Sequence, residues 1–236
     1  LNEKITFQDD YPGIATVSAK AEDAQTEIRI KITDGTSFWD LNKTINDNNG
    51  TEITLDKNYA YNPEIDSDFI NGIIINRTVR INGNNNTING LGIARIFHIL
   101  ADNVIINNIT FTNAKADGNK LEDKYGGAIH WYGEYGAVSN STFINNTASQ
   151  YGGAIIWWGD NGAVSNSTFI NNKAQKYYGG AIHWYGKYGA LSNSTFNNNT
   201  AKYGGAIYWN GRNGALSNST FNNNTAVNVG GAIHWY

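Results

Sequence analysis

Gly126-Gly127-Ala128-Ile129-His130-Trp131-Tyr132 returns as Gly152-Gly153-Ala154-Ile155-Ile156-Trp157-Trp158, then from Gly179 to Tyr185, from Gly204 to Asn210 and from Gly230 to Tyr236. The steps are 26, 27, 25 and 26 residues, a fixed period that marks a stack of similar units. A second block, Ser-Asn-Ser-Thr-Phe, ends at Phe143, Phe169, Phe196 and Phe221, always 17 residues after its Gly-Gly. All length variation therefore falls between that Phe and the next Gly-Gly, as expected of an exposed connection on a scaffold held in register.

Gly pairs and Asn runs break helices, and no apolar period of 3.6 is visible, so the units are read as short strands. Strands recurring at this spacing wind into a coil, each pairing in parallel with its equivalent one turn later, about 4.8 Å away. The expected fold is all-β: a right-handed parallel β-helix of the pectin-lyase-like solenoid type, with a short N-terminal capping helix. Phe111, Phe143, Phe169, Phe196 and Phe221 then form an internal aromatic column. The Asn three residues before each Phe and the Asn two residues after it form two more, read as structural turn positions. That ladder also generates Asn-x-Ser/Thr triplets such as Asn140-Ser141-Thr142, so these are read as structure before glycosylation.

Residues 36–236 are assigned to the β-helix, with a cap and irregular coils over 36–125 and regular coils over 126–236 that stop partway through a repeat. The chain is read as an excerpt of a longer protein. Thr36 to Ile45 places Phe38, Leu41 and Ile45 on one helical face behind Thr36 or Ser37 as N-cap. Such a cap covers an open strand edge. Glu52–Leu55, Gly72–Ile75, Val79–Asn82 and Val104–Phe111 read as early strands. Residues 1–35 are a strand region or a linker from a preceding domain, with Ile28, Ile30 and Ile32 alternating as in a half-exposed strand. The segment 115–124 reads as a charged surface excursion.

Of the 236 residues 16% are charged, with a formal net charge of −3, too little positive charge to neutralise a nucleic-acid backbone. There are no Cys and no Met, which removes disulfides, thiolate metal sites and a Cys nucleophile, and points outside the cell. No run approaches 18 apolar residues, so no transmembrane segment is expected in this stretch.

Gly-Gly-Ala-Ile paired with Phe143-Ile144-Asn145-Asn146 and its copies resembles the repeats of polymorphic outer-membrane adhesins. The Asn/Thr-rich composition, with Ile81-Asn82-Gly83-Asn84 and Asn107-Asn108-Ile109-Thr110-Phe111, looks still more like the adhesin-like surface proteins of methanogenic archaea. The resemblance covers about residues 36–236. It implies export and attachment to another cell or surface, and supplies no catalytic motif.

The same architecture resembles polysaccharide lyases and hydrolases, whose chemistry needs paired carboxylates or a base with cation assistance. Glu134 and Asp160 hold equivalent loop positions, but that position becomes Lys187 and then Arg212, which reads as solvated surface. Arg29-Ile30-Lys31 matches a polygalacturonase-like string without its companion motifs and is taken as chance. No cofactor is expected. Asp117, Glu122 and Asp123 could offer oxygen ligands to Ca²⁺, with a charged loop as the preferred reading. His130 and His183 lie two coils apart, about 9–10 Å, too far to share a Zn²⁺.

Strand alternation puts Ile129 and Trp131 on one face and His130 and Tyr132 on the other. The repeated Ile and Trp suit a packed interior. The variable positions form an outer strip: His130, Ile156, His183, Tyr208 and His234 beside Tyr132, Trp158, Tyr185, Asn210 and Tyr236. Exposed aromatics of this kind mark interaction sites and suit sugar faces or a protein partner. The function expected is therefore a cell-surface adhesin segment, extracellular and not an enzyme, that holds a partner-cell glycan or surface protein. The alternatives are a polysaccharide lyase or hydrolase, and a structural stalk presenting another domain.

Overall fold

The computed structural model describes residues 13–21 and 24–236, with side chains described from residue 33 onward. Strands Gly13–Ala21 and Ala24–Ile32 pair antiparallel, with Ile14 opposite Lys31 and Ile28 opposite Val17. The strand expected around Ile28–Ile32 is present; the exposure of those side chains lies outside the described residues.

The remainder is a parallel β-solenoid of about seven turns. Each regular coil contributes four short strands, represented in the first by Ile129–Trp131, Ala137–Ser139, Thr142–Ile144 and Thr147–Ala148. Stacking yields three seven-stranded sheets and one five-stranded sheet. Register is strict: Trp131 pairs with Trp157, Val138 with Val164 and Phe143 with Phe169.

The corners explain the Asn columns. Asn140, Asn145 and their equivalents in the other coils sit at φ between 45° and 59°, the left-handed region that Asn tolerates better than other side-chain-bearing residues. A third Asn column, three residues after Phe143, Phe169, Phe196 and Phe221, adds to the two turn columns expected from the sequence. Asn146, Asn172 and Asn199 are fully buried. Asn172 Nδ2 donates to Phe143 O and to Asn199 Oδ1, while its Oδ1 accepts from Asn146 N and Nδ2, all at 3.0 Å. The ladder satisfies turn backbone that the strands leave unpaired.

Inside the tube, Phe111, Phe143, Phe169, Phe196 and Phe221 stack at centroid spacings of 4.7–4.9 Å. Trp131, Trp157, Trp184, Trp209 and Trp235 stack at 4.2–4.9 Å. The indole N–H groups of Trp131, Trp157, Trp184 and Trp209 find no hydrogen-bond partner, a cost of about 1–3 kcal/mol each that stacking and burial must offset. A Cβ on Gly136 would lie 2.4 Å from the Trp131 ring, so glycine is what lets that ring fill the corner.

Helix Phe38–Asn42 continues as a π turn over Lys43–Asp47 and buries Phe38, Leu41 and Ile45 against the first coil. Ser37 is its N-cap, in a reciprocal box with Asp40. Buried Asp66 accepts from Phe38 N and Trp39 N, both at 2.9 Å. The expected strand over 104–111 is instead two, Ile105–Asn107 and Thr110–Thr112, because Asn108 turns the chain at φ 59°.

Candidate functional site

The Ile-x-Trp strands build one seven-stranded sheet, whose inner face is the Ile and Trp ladder just described. Entry to each strand depends on the Gly pair. Gly126 has φ +60°, and a Cβ there would lie 2.1 Å from Ile129 O; a Cβ on Gly127 would lie 2.1 Å from Gly153 O of the next coil. Only glycine lets the backbone pass so closely and deliver the preceding tyrosine onto the outer face of the sheet.

That outer face is not bare. His98, His130, Ile156, His183, Tyr208 and His234 form one column through successive pairings. His130, Ile156 and His183 are fully buried, yet Ile156 does not belong to the cluster that fills the tube. They lie in a second packed layer outside it. Two aromatic rows cover them. On one side stand Tyr125, Tyr151, Tyr178 and Tyr203, linked ring to ring at 4.8–5.3 Å. On the other, Tyr132 lies 4.6 Å from the His130 ring and Tyr185 lies 4.4 Å from His183. The coil that carries the extra residue uses it to add Tyr177, 5.4 Å from Tyr151.

The expected surface strip therefore needs correction. His130, Ile156 and His183 are floor, not surface, and Tyr208 and His234 are half-buried. Their variation fits a covering layer whose rings lie at different tilts over different neighbours, with interplanar angles of 30° to 72° against the two histidines. The second row does reach solvent: Tyr132 is 42% exposed, Trp158, Tyr185 and Asn210 are half-buried, and Tyr236 is exposed. Trp158 and Tyr185 stack at 4.2 Å, whereas Tyr132 is offset from Trp158 at 6.2 Å.

Burial sets the chemistry of this layer. It pushes His183 down to about 3 and His130 down to about 2, the latter aided by the positive charge of Arg95, so both are neutral at physiological pH. His130 Nε2 accepts from Trp158 Nε1 at 3.1 Å; neither ring nitrogen of His183 has a partner. The phenols of Tyr125, Tyr151 and Tyr185 are held above their usual range by burial and then by neighbouring tyrosines: Tyr151 is pushed up to about 12, with Tyr125, Tyr185, Tyr178 and Tyr177 all contributing. Among the described residues, none of the hydroxyls of Tyr132, Tyr151, Tyr178 or Tyr185 bonds another protein group, so they are free to bond a ligand.

Arg95 is a residue that sequence reasoning missed. It is fully buried, and its guanidinium donates to the carbonyls of Gly126, Asn71, Glu122 and Tyr125 at 2.8–3.1 Å. Desolvation lowers it to about 10, still charged. This pins the 115–124 excursion and starts the tyrosine row. Nothing in the local pattern of a single Arg flanked by Ala94 and Ile96 announces a buried cation.

The acids of that excursion part company. Asp117 pairs with Lys115 at 2.8 Å, Asp123 is buried and accepts from Lys120 N at 3.2 Å, and Glu122 is exposed. Among the described residues no group of three His, Asp or Glu could hold a metal ion. An open cavity of about 500 Å³ beside them is floored by Ile70 and Ile93. Glu134 is exposed, and Asp160 Oδ1 accepts from Lys187 N at 2.7 Å.

With this geometry in view, the similarity to known proteins is specific to the coils. The family model of the Chlamydia polymorphic membrane protein repeat matches residues 140–155, 166–183, 193–208 and 218–234. Each match runs from a corner Asn through the Phe and the Asn ladder into the next Gly-Gly-Ala-Ile strand, so it covers the residues that build the corners and the sheet described here. A comparison with curated proteins finds no match. No helix among the described residues is long and apolar enough to cross a membrane.

Proposed function

We propose that this chain is a segment of a cell-surface adhesin, extracellular, and that the row Tyr132, Trp158, Tyr185 and Asn210 holds a glycan of a partner surface. The observation that carries the reading is a solvent-reaching aromatic row seated on its own buried layer. Its rings are fixed before any ligand arrives, which spares the ordering cost that loop aromatics bear. The unpartnered phenol hydroxyls of Tyr132 and Tyr185 add polar contacts to apolar ring surface, the combination that suits sugars. Successive coils are about 4.8 Å apart, comparable with the length of one sugar residue, so an extended chain lying along the axis meets the same groups repeatedly. The resemblance of the coils to polymorphic membrane protein repeats supports a surface role.

The reading is non-enzymatic. Asp102, Glu134 and Asp160 stack on successive coils beside the row, but Asp102 and Asp160 each accept from the backbone N–H of the next coil, and the column continues as Lys187 and Arg212, the pattern of a solvated turn. Binding to a broad glycan array and to intact candidate partner cells tests the proposal, alongside a variant with Tyr132→Ser, Trp158→Ser and Tyr185→Ser. Retained folding with lost binding is the expected result. Attachment that survives the triple change would transfer adhesion elsewhere and leave these coils a stalk.

A further inference from the structure

The charges of this chain are divided unevenly along it. Residues 126–236 carry five cations, Lys173, Lys176, Lys187, Lys202 and Arg212, against two carboxylates, Glu134 and Asp160, although the whole chain is at −3. The regular coils are therefore positive on a negative protein, and the later cations border the aromatic rows.

Two edges can be placed. The turn after the Tyr132 row stacks Asp102, Glu134, Asp160, Lys187 and Arg212, with Tyr135 N donating to Asp160 O, Asn161 N to Lys187 O and Tyr188 N to Arg212 O. This edge changes sign along the axis, from acid beside Tyr132 to base beside Tyr185 and Asn210. On the opposite edge Lys202 Nζ lies 5.7 Å from the Tyr203 ring, and Lys176 precedes Tyr177. Lys176, Lys187, Lys202 and Arg212 are exposed, and among the described residues none is in an ion pair.

We infer that the ligand of this face is an anionic polysaccharide, its carboxylate or sulfate groups lying between Lys176 and Lys202 on one edge and Lys187 and Arg212 on the other. This rests on the glycan reading above and narrows it. Lys187 and Arg212 are one coil apart, about 4.8 Å, so successive acidic units of an extended chain can each meet a cation while their rings lie against the aromatic row. Glu134 and Asp160 repel the same ligand from the first coils, which fixes its position along the axis. Such contacts are exposed and screened, so they select the ligand and set its salt dependence more than they supply affinity.

The test uses polygalacturonate and its fully methyl-esterified form, at low salt and at about 0.5 M salt. The acid form is expected to bind about tenfold more tightly at low salt and to lose that margin at high salt. The Lys187→Glu/Arg212→Glu variant should lose about tenfold toward the acid form and nothing toward the ester, whereas Glu134→Lys should gain severalfold. Thr142→Glu, on a different sheet, should change neither. Equal, salt-independent binding of acid and ester would overturn the anionic inference and leave the glycan reading standing. Failure of every polysaccharide to bind would overturn both. Polyglutamate binding as tightly as polygalacturonate would overturn the sugar component.

Discussion

The Ile-x-Trp sheet has two buried faces, and they are built differently. Its inner face repeats Ile and Trp in every regular coil, while its outer face runs His, Ile, His, Tyr and His through the same coils. Both bury side chains completely at Trp131, His130, Trp157, Ile156, Trp184 and His183. Inside the tube each ring is boxed in by three other sheets and by Gly136 or its equivalent, so only one shape fits. Outside, the cover is a set of tyrosines attached at one end, which adjust their tilt to what lies beneath. Variability at a buried position here measures the compliance of its cover, not its exposure.

The sharpest way to break that comparison is to truncate neighbouring residues on the two faces. Trp157→Ala should cost about 3–5 kcal/mol in chemical denaturation, whereas Trp158→Ala should cost about 1–2. Similar losses would mean that the outer layer is as tightly constrained as the core. The Asn columns offer a second contrast. Asn172→Ala removes both acceptor contacts to Asn146 and should cost about 2–4 kcal/mol. Its neighbour Asn171, at φ 55°, only turns the corner, so Asn171→Ala should cost about 1–2 kcal/mol and Asn171→Gly almost nothing.

Acid should separate the faces further, since only the outer one titrates. Burial holds His130 and His183 below their unfolded value of about 6.5, so the unfolded chain takes up protons that the folded chain refuses. Their contribution is complete above pH about 6.5 and declines by about 1.4 kcal/mol per unit per histidine as pH falls toward the folded values. Equilibrium unfolding between pH 7 and 4 measures this slope. His183→Ile copies the residue that Ile156 places in the adjacent coil. It should take one histidine's share, about 1.4 kcal/mol per pH unit, from the slope and, by removing two unpartnered nitrogens, stabilise the protein by about 1 kcal/mol at pH 7. An unchanged slope would show that His183 is not what titrates.

The sequence alone revealed the solenoid, because a solenoid writes its fold as a period, and the Phe ladder, the Trp interior and the Ser37 cap were all legible from spacing and residue type. The second layer was not. Strand alternation assigns His130 to the outer face correctly but is silent on what lies above it; the cover comes from Tyr151 and Tyr178, which precede the Gly pairs across a turn. The clue was the placement of a tyrosine immediately before four of the five Gly-Gly pairs, Tyr125, Tyr151, Tyr178 and Tyr203. Arg95 left no such mark, since its partners are backbone carbonyls that only the folded chain brings together.

Hydroxyl-radical footprinting, read by mass spectrometry with and without a bound polysaccharide, tests the two-layer account and its functional consequence together. Tyr132 and Tyr177 are expected to be oxidised in the free protein while His130 and His183 are spared, and ligand is expected to protect Trp158 and, most strongly, Tyr185. Oxidation of His183 in the folded free protein, or protection confined to the Thr142–Ile144 sheet, would contradict the account.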